Sequence, residues 1–346
     1  MADVPQTVAL QVLSQNYRGR LVAQTNRKSA LMKVLPILPG FGKNCAWAAR
    51  SSGQIAENYA QGADASNFGS DAQTEAILQW GHYRANFHIT GTALRAAATS
   101  ATPDGVQNLV GTNLASANET LVSALNVAMF NGAGTGTTIA GLDVAIGDDT
   151  NTYATIDRAA NAFWRPYVVD PGVATALTLG QIRYDLGQIY KNSGEVPDIG
   201  VCSVEVFDTI GSLFDSTRRY TADTITTARG VIRLDAGYQA LEVNGCMFLR
   251  DKDATAGQIY YINSNRIHIE YLPLDPEVLA EVMSTMQMAG MTMDANDGYG
   301  PVPLGIHCEA LAKNGDSDRF ECLSNLQLVV ERPNACGVRK NVATVS

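Results

Sequence analysis

The stretch Gly141–Pro166, GLDVAIGDDTNTYATIDRAANAFWRP, lies near the middle of a chain of 346 residues. Its β-branched and aromatic residues alternate irregularly with Gly, Asp and Asn, which predicts short strands joined by a structured loop. The segments on either side of it have clearer residue spacing, and they define the elements between which this stretch must fit.

A long amphipathic helix is predicted directly upstream, over residues 103–130. Its apolar residues recur at spacings of three and four, which places them on one face of a helix. Thr102 can cap its N-terminus, with Pro103 in the first helical position. At about 1.5 Å per residue the helix is roughly 40 Å long, so we expect it to be a scaffold for other elements.

The helix runs into the most glycine-dense stretch of the chain, Asn131–Asp143, NGAGTGTTIAGLD. Glycine loops that precede a helix can bind phosphate through their backbone N–H groups. Here the glycines follow a helix, and Leu142 and Asp143 occupy the positions where a phosphate-binding loop has Lys and Ser or Thr. The favoured interpretation is a left-handed helix cap at Gly132, followed by a compliant turn.

The rest of the chain predicts a mixture of helices and strands. Residues 51–80 are rich in Ser, Gly, Ala, Asn and Gln and weakly patterned, which favours a projecting hairpin or loop, with a returning strand near 80–89. A second helix is predicted from a Thr178/Gln181 capping box to a stop at Gly194. Further predictions are a buried strand leading into a helix at 197–214, hairpin turns at Asn244-Gly245 and Ser264-Asn265, a helix begun by Asp275 and Pro276, and a turn at 314–316.

Composition and charge limit the class of protein. The chain is 46% hydrophobic and 17% charged with a formal net charge of -9, which is a globular composition for about two domains. Basic residues form only short pairs, which argues against tight nucleic-acid binding. The N-terminus does not resemble a signal peptide, and no apolar run approaches the ~18 residues that span a bilayer, so we expect a soluble protein made in the cytosol without membrane contact.

The sequence contains no recognisable catalytic, cofactor-binding or metal-binding motif. Its four histidines are dispersed, its six cysteines form no C-x-x-C pair, and no G-x-S-x-G motif is present. We therefore expect no enzyme activity, no cofactor and no metal, and cysteines that are reduced and mostly buried. An enzyme whose site is built from residues distant in sequence remains an alternative.

Several segments, in their order along the chain, resemble the major capsid proteins of tailed bacteriophages, which share the HK-ninety-seven-type shell fold. The closest likeness is in the opening stretch, followed by the segments at 177–214, 241–271 and 328–338. In the opening stretch it is carried by Gly141, Leu142, Tyr153, Ile156, Asp157, Arg158, Trp164 and Arg165.

The resemblance implies an α+β fold with a defined order of parts. These are an N-terminal arm (1–50), an extended β-hairpin loop (51–90), a peripheral domain (91–176) with its spine helix at 103–130, an axial α/β domain (177–300), and return strands with a C-terminal tail (301–346).

The resemblance also implies a function and its partners. The expected protein is a structural head protein that self-assembles as hexamers and pentamers into an icosahedral shell enclosing double-stranded DNA, without sequence-specific binding. The virion would be assembled in the host cytoplasm with a separate scaffolding protein, a portal protein and a cement or decoration protein. Residues 51–90 contain no lysine, so a Lys–Asn cross-link from this loop is not expected. An encapsulin-type compartment holding a cargo protein is the alternative within the same fold.

The candidate inter-subunit contacts are five side chains. The three aromatic residues of the extended loop are expected to bury themselves on a neighbouring subunit. The remaining two, an arginine and a tryptophan, are expected either to contact a neighbour or to serve as an ion pair and a core anchor within the peripheral domain. The five are Tyr59, Phe68, Trp80, Arg158 and Trp164.

Overall fold

The computed structural model describes residues 29–53, 72–98, 105–214, 224–227, 230–233, 241–273 and 305–344, together with a few single positions between 53 and 72. The helices are α1 (Ala30–Val34), α2 (Gly91–Ala98), α3 (Gly105–Asn131), α4 (Leu142–Ala145), α5 (Leu179–Ser193) and α6 (Val204–Ser212), with short 3-10 turns at Ala162–Trp164 and Pro333–Ala335.

The strands of the described residues belong to several separate sheets. They are β1 (Ile37–Pro39), β2 (Asn44–Ser52), β3 (Ala72–Gln79), β4 (Gly81–Thr90), β5 (Thr152–Tyr153), β6 (Ile156–Asp157), β7 (Tyr167–Val169), β8 (Thr175–Ala176), β9 (Ile199–Cys202), β10 (Thr224–Thr227), β11 (Gly230–Arg233), β12 (Leu241–Val243), β13 (Cys246–Arg250), β14 (Ile259–Ile262), β15 (Ile267–Tyr271), β16 (His307–Asn314), β17 (Ser317–Val330), β18 (Gly337–Arg339) and β19 (Val342–Ala343).

A five-stranded sheet and the long helix α3 pack together in one part of the molecule. The centre of this sheet is β17, which pairs antiparallel with β4, β15 and β16, while β1 adds to β15 in parallel. Helix α3 packs on β4 and β17, as expected for the predicted spine. The observed helix begins at Gly105, and the predicted cap at Thr102 and Pro103 lies outside the described residues.

A six-stranded sheet separates the two main hydrophobic clusters. Its strand order is β12-β13-β9-β14-β18-β7. Side chains alternate across β14: Tyr260 and Ile262 join the cluster that contains α3, whereas Ile259 and Tyr261 join the cluster beneath α5 and α6. All four are fully buried, because each face of this strand is covered by a different core.

The glycine-rich stretch folds differently from its prediction. Helix α3 does end at Asn131, but Gly132 does not have a positive φ, so the left-handed cap predicted there is wrong. Glycine is needed for space instead: a Cβ on Gly132 would lie 2.2 Å from the carbonyl oxygen of Ile139. The left-handed residues are Gly134 and Gly136, which turn the chain so that Ala133 pairs with Ala140.

Two other turn predictions are confirmed. Helix α5 begins with a complete capping box between Thr178 and Gln181 and ends at Gly194 in the left-handed conformation. Strands β12 and β13 form the predicted hairpin, with positive φ at both Asn244 and Gly245, as a two-residue turn requires. The helix predicted from Asp275 lies outside the described residues.

The hairpin predicted at Ser264-Asn265 is wrong. Strand β14 pairs with β9 and β18, whereas β15 pairs with β17 and β1, so the chain crosses from one sheet to the other at this point. The carboxylate of Asp198 accepts hydrogen bonds from the backbone N and the hydroxyl of Ser264 and holds the crossing. Tertiary pairing therefore overrides a local turn signal.

The strand pairing around the predicted extended loop crosses the boundary predicted between residues 50 and 51. Strand β2 begins in the range assigned to the arm and ends at Ser52, in the range assigned to the loop, and it pairs antiparallel with β3 from Asn44↔Gln79 to Ser52↔Ala72. The predicted returning strand is present as β4, but it pairs with β17 in the five-stranded sheet and not with the hairpin.

Two of the six cysteines are paired, contrary to the expectation of reduced thiols. Cys308 and Cys322 lie directly opposite each other on β16 and β17, with their Cα atoms 4.0 Å apart, and form a disulfide. Sequence spacing could not reveal this pair, because it depends on the register of the two strands. The buried free thiols are those of Cys45, Cys202, Cys246 and Cys336.

The disulfide should stabilise the β16–β17 pair. It links residues separated by 14 positions, and a closed loop of that size contributes about 3 kcal/mol by restricting the unfolded chain. Adding a thiol reductant should therefore lower the melting temperature of the wild-type chain. The double variant Cys308→Ser/Cys322→Ser is the control, since a reductant should leave its melting temperature unchanged. An unchanged wild-type melting temperature would contradict this prediction.

A buried ion pair joins helix α5 to the C-terminal strand β18. The guanidinium of Arg339 donates two hydrogen bonds, of 2.6 and 2.7 Å, to the carboxylate of Asp185, whose side chain is fully buried. The hydroxyls of Tyr167 and Tyr261 donate to the same carboxylate. Hydrogen-bonding to the Asp185 carboxylate raises the pKa of Arg339 despite its burial, so the charged pair is well matched.

Removing one half of this pair should be costly. Asp185→Ala leaves the Arg339 cation buried without its carboxylate, and we expect a loss of about 3–5 kcal/mol in the free energy of unfolding, measured by urea denaturation. Arg95→Ala, which breaks the exposed pair between Arg95 and Asp316, is the control, and its loss should be much smaller. Equal losses in the two variants would refute the assignment.

Candidate assembly surface

The opening stretch Gly141–Pro166 is organised around the side chain of Arg158. This side chain is fully buried, and its guanidinium donates hydrogen bonds to the carbonyl oxygens of Val144 (3.0 Å), Asp148 (2.5 Å) and Ala145. These carbonyls lie in and just after α4, where a helix end leaves acceptors unsatisfied. Burial lowers the pKa of Arg158 to about 10, which leaves it charged at neutral pH.

Trp164 anchors the same stretch to the hairpin formed by strands β2 and β3. Only 3% of this residue is exposed, and its indole N–H donates to the carbonyl oxygen of Tyr153 at 3.1 Å. Its ring lies 6.3 Å from the ring of Tyr153 and 6.4 Å from that of Trp47 on β2. Strand β2 is thereby packed against the stretch that carries the family resemblance.

Three of the side chains expected at inter-subunit contacts, those of Trp80, Arg158 and Trp164, are buried within the single subunit. Trp80 is 5% exposed, and its indole N–H donates to the carbonyl oxygen of Gly42 at 3.1 Å. All three side chains are used within their own subunit and leave little surface for another copy. For Arg158 and Trp164 this burial favours the alternative of a role within the subunit, with backbone carbonyls as the hydrogen-bond partners of Arg158. Tyr59 and Phe68 lie outside the described residues.

The surface that does project is the distal half of the β2–β3 hairpin. Near its base, Cys45, Ala49, Ala76 and Leu78 are buried in the core. Farther out, residues 50–52 on one strand and 72–75 on the other are exposed, so the distal pairs have no core on either face. A two-stranded ribbon is marginally stable alone in water. Its distal half would therefore gain stability from any further surface that packs on it.

A cleft of about 580 Å³ lies beside the base of this hairpin. One wall is β2, with Trp47 and Arg50; the other carries Phe163 and Arg332. The carboxylate of Glu195 accepts hydrogen bonds from Arg266 and Arg332 and holds the far wall in place. Aromatic and arginine side chains around an open cleft are typical of protein interfaces.

The described residues contain neither a metal-binding cluster nor a helix that could span a membrane. No group of three or more His, Cys, Asp or Glu side chains is arranged to hold a metal ion there. Among the helices described, none combines the length and apolarity needed to cross a bilayer. The features that stand out are surfaces, with exposed Leu38, Phe41, Tyr184 and Tyr190 among the large hydrophobic side chains.

Comparisons by sequence identify no relative: no family model matches the chain, and no curated protein matches it. Comparison by structure does. The subunit of the cyanophage A-1(L) capsid superposes with a TM-score of 0.66 at 18% identity, covering 91% of this chain and 93% of the cyanophage chain. The chain has the shell fold of phage capsid proteins.

Two further structures share the capsid fold at lower similarity. A chain of Mycobacterium phage Adephagia matches with a TM-score of 0.54 at 10% identity and covers 100% of both chains. The SrpI encapsulin of Synechococcus elongatus matches with a TM-score of 0.50 at 13% identity, covering 91% of this chain and 88% of the encapsulin. The expected α+β capsid fold is confirmed, and similarity at these identities establishes fold and not function.

The Glu195 network beside the cleft should make stability depend on pH. Hydrogen bonds from Arg266 hold the pKa of Glu195 below its ordinary value of 4.5. The ionised carboxylate therefore stabilises the folded chain above pH 4.5, and this contribution is lost as pH falls through the lowered pKa. The difference in unfolding free energy between wild type and Glu195→Gln should shrink on acidification below pH 4.5. A difference that stays constant with pH would contradict this.

Proposed function

We propose that this chain is a major capsid subunit that self-assembles as hexamers and pentamers into an icosahedral shell around double-stranded DNA. The observation that carries the proposal is the match to the cyanophage capsid subunit over nine-tenths of both chains. On this proposal the protein is a structural component of the virion, assembled in the host cytoplasm, and not an enzyme.

The projecting hairpin supports a role in assembly. Its distal half exposes both faces, so it gains stability when a neighbouring subunit covers it. The base, by contrast, is fixed to the subunit by the Trp47–Trp164 contact and by the indole N–H of Trp47, which donates to the carbonyl oxygen of Glu331 at 3.3 Å. A firmly held base with an uncovered tip is suited to reaching across to a neighbour.

The charge balance supports DNA packaging without sequence-specific binding. The chain has a formal net charge of -9 and only short pairs of basic residues. The inner surface of a shell built from such a chain would not bind a phosphate backbone tightly through counterion release. The loop 51–90 contains no lysine for a covalent cross-link between subunits, so the proposal includes a cement or decoration protein. A separate scaffolding protein and a portal protein are included because the family resemblance implies them.

A second candidate function follows from the encapsulin match. The SrpI encapsulin shares the fold, and a compartment of this type, the alternative implied by the sequence resemblance, would enclose a cargo protein instead of DNA. The two functions are separated by the contents of the particle: nuclease-protected double-stranded DNA supports the capsid, whereas a co-purifying protein with no protected DNA supports the compartment.

Shortening the hairpin tests the proposed role directly. Replacing residues 50–73 by a two-residue Asn-Gly turn joins the paired residues Ala49 and Thr74 and keeps the buried base of strands β2 and β3, so the subunit should remain folded and soluble. Shell formation, measured by sedimentation and negative-stain microscopy, should be lost because neighbouring subunits lose their contact. The melting temperature of the shortened subunit should stay close to that of wild type, which shows that unfolding is not the cause of the loss of shells. Shells of normal yield from the shortened chain would refute the role of the hairpin.

A further inference from the structure

The outer face of helix α5 is unusual for a face exposed only to water. Tyr184 and Tyr190 are 62% and 56% exposed. Gly180 and Gly187 lie on the same face, at spacings of three and four from the tyrosines. Glycine is a poor helix former, and within the described chain no atom lies within 4 Å of the position that a Cβ on Gly187 would take. The glycines therefore serve no packing purpose inside the subunit.

The charges on this face of α5 have one sign. Arg183 and Lys191 are exposed, and the helix contains a single acidic residue, Asp185, which is buried and paired with Arg339. The face therefore combines two large aromatic side chains, two glycines that allow close approach of a backbone, and two positive charges. Tyr is enriched in protein interfaces, where it supplies buried area with a polar end.

Helix α6 presents the opposite charge. Its exposed residues Glu205, Asp208 and Ser212 lie on one face, and the helix contains no basic residue. The apolar sides of α5 and α6 share one hydrophobic cluster on the same side of the six-stranded sheet. Since both outer faces remain exposed in a single subunit, neither covers the other. A basic, tyrosine-bearing face and an acidic face are thus available on the same chain.

We propose that the outer face of α5 docks onto the outer face of α6 in a second copy of this chain. The inference rests on the proposed shell function and names one of its contacts. The contact is heterologous, because two different surfaces meet, and a heterologous contact generates a ring when its rotation closes. Arg183 and Lys191 face Glu205 and Asp208 of the neighbouring copy, and Gly187 lets the two backbones approach.

Charge reversal tests the pairing. The variant Arg183→Glu/Lys191→Glu places like charges opposite each other, and we expect it to remain a folded subunit but to lose shell formation. Combining it with Glu205→Lys/Asp208→Lys restores opposite charges with exchanged signs and should restore shells. The charge-conserving variant Arg183→Lys/Lys191→Arg is the matched control and should assemble as wild type does. Thermal unfolding of each subunit verifies that these exposed substitutions leave the fold intact.

A bulky residue at Gly187 tests close approach independently of charge. Leucine is a better helix former than glycine and meets open space at this position, so Gly187→Leu should not lower the melting temperature of the subunit. It should nevertheless reduce shell yield, because its side chain separates the two helices. A purely structural glycine would show the reverse, with a lower melting temperature and unchanged assembly of the remaining folded subunit.

The outcomes distinguish a failure of the proposed α5–α6 interface from a failure of the proposed function. If the wild-type chain forms no shells under any assembly condition, the proposed function fails. If wild type forms shells and the charge-reversed variant forms them equally well, the α5 interface is refuted and the proposed function stands. If reversal on α5 abolishes shells and the compensating reversal on α6 does not restore them, the assignment of α6 as the docking partner is refuted.

Discussion

One close contact between two backbone segments determines how the end of the long helix α3 meets the five-stranded sheet. At the end of the long helix α3, the backbone of Gly132 lies against Ile139, and Gly141 returns to donate a hydrogen bond of 2.9 Å to the carbonyl oxygen of Gly132. A Cβ on Gly141 would lie 2.6 Å from both the backbone N of Gly132 and the carbonyl oxygen of Phe130. Only glycine permits this approach.

The elements around this contact depend on it. The folded turn places Ile139 against Gly81 at the start of β4, where a side chain on the glycine would collide with it. The backbone N of Ala140 donates to the side-chain amide oxygen of Gln327 on β17, whose amide nitrogen donates to the carbonyl oxygen of Gln79. The helix end, the hairpin and the central strand thus meet at one buried point, and α4 with its Arg158 anchor follows directly.

Local signals were sufficient to predict the elements whose boundaries depend on nearby residues. The α5 capping box and the Asn244-Gly245 turn are examples, since each depends on residues a few positions apart. The features that sequence alone did not predict depend on partners far along the chain. The Cys308–Cys322 pair requires the register of two strands, and the crossing at Ser264 requires Asp198.

The same distinction applies to the candidate assembly surface. Aromatic residues in a loop of weak pattern suggested contacts with a neighbour, yet Trp80, the member of that set that the structure describes, is buried in the subunit itself. The surfaces that we propose for assembly, the distal hairpin and the outer faces of α5 and α6, are exposed in the described part of the subunit. They can be recognised only once burial is known, because an exposed and a buried aromatic residue look the same in a sequence.

The central claim is that this fold builds a closed shell, and cryo-electron microscopy of particles formed by the full chain tests it most directly. The account predicts closed particles hundreds of ångströms wide, with subunits in rings of five and six and each hairpin lying on an adjacent subunit. A chain that remains a monomer or small oligomer, also when co-expressed with its scaffolding protein, would contradict it.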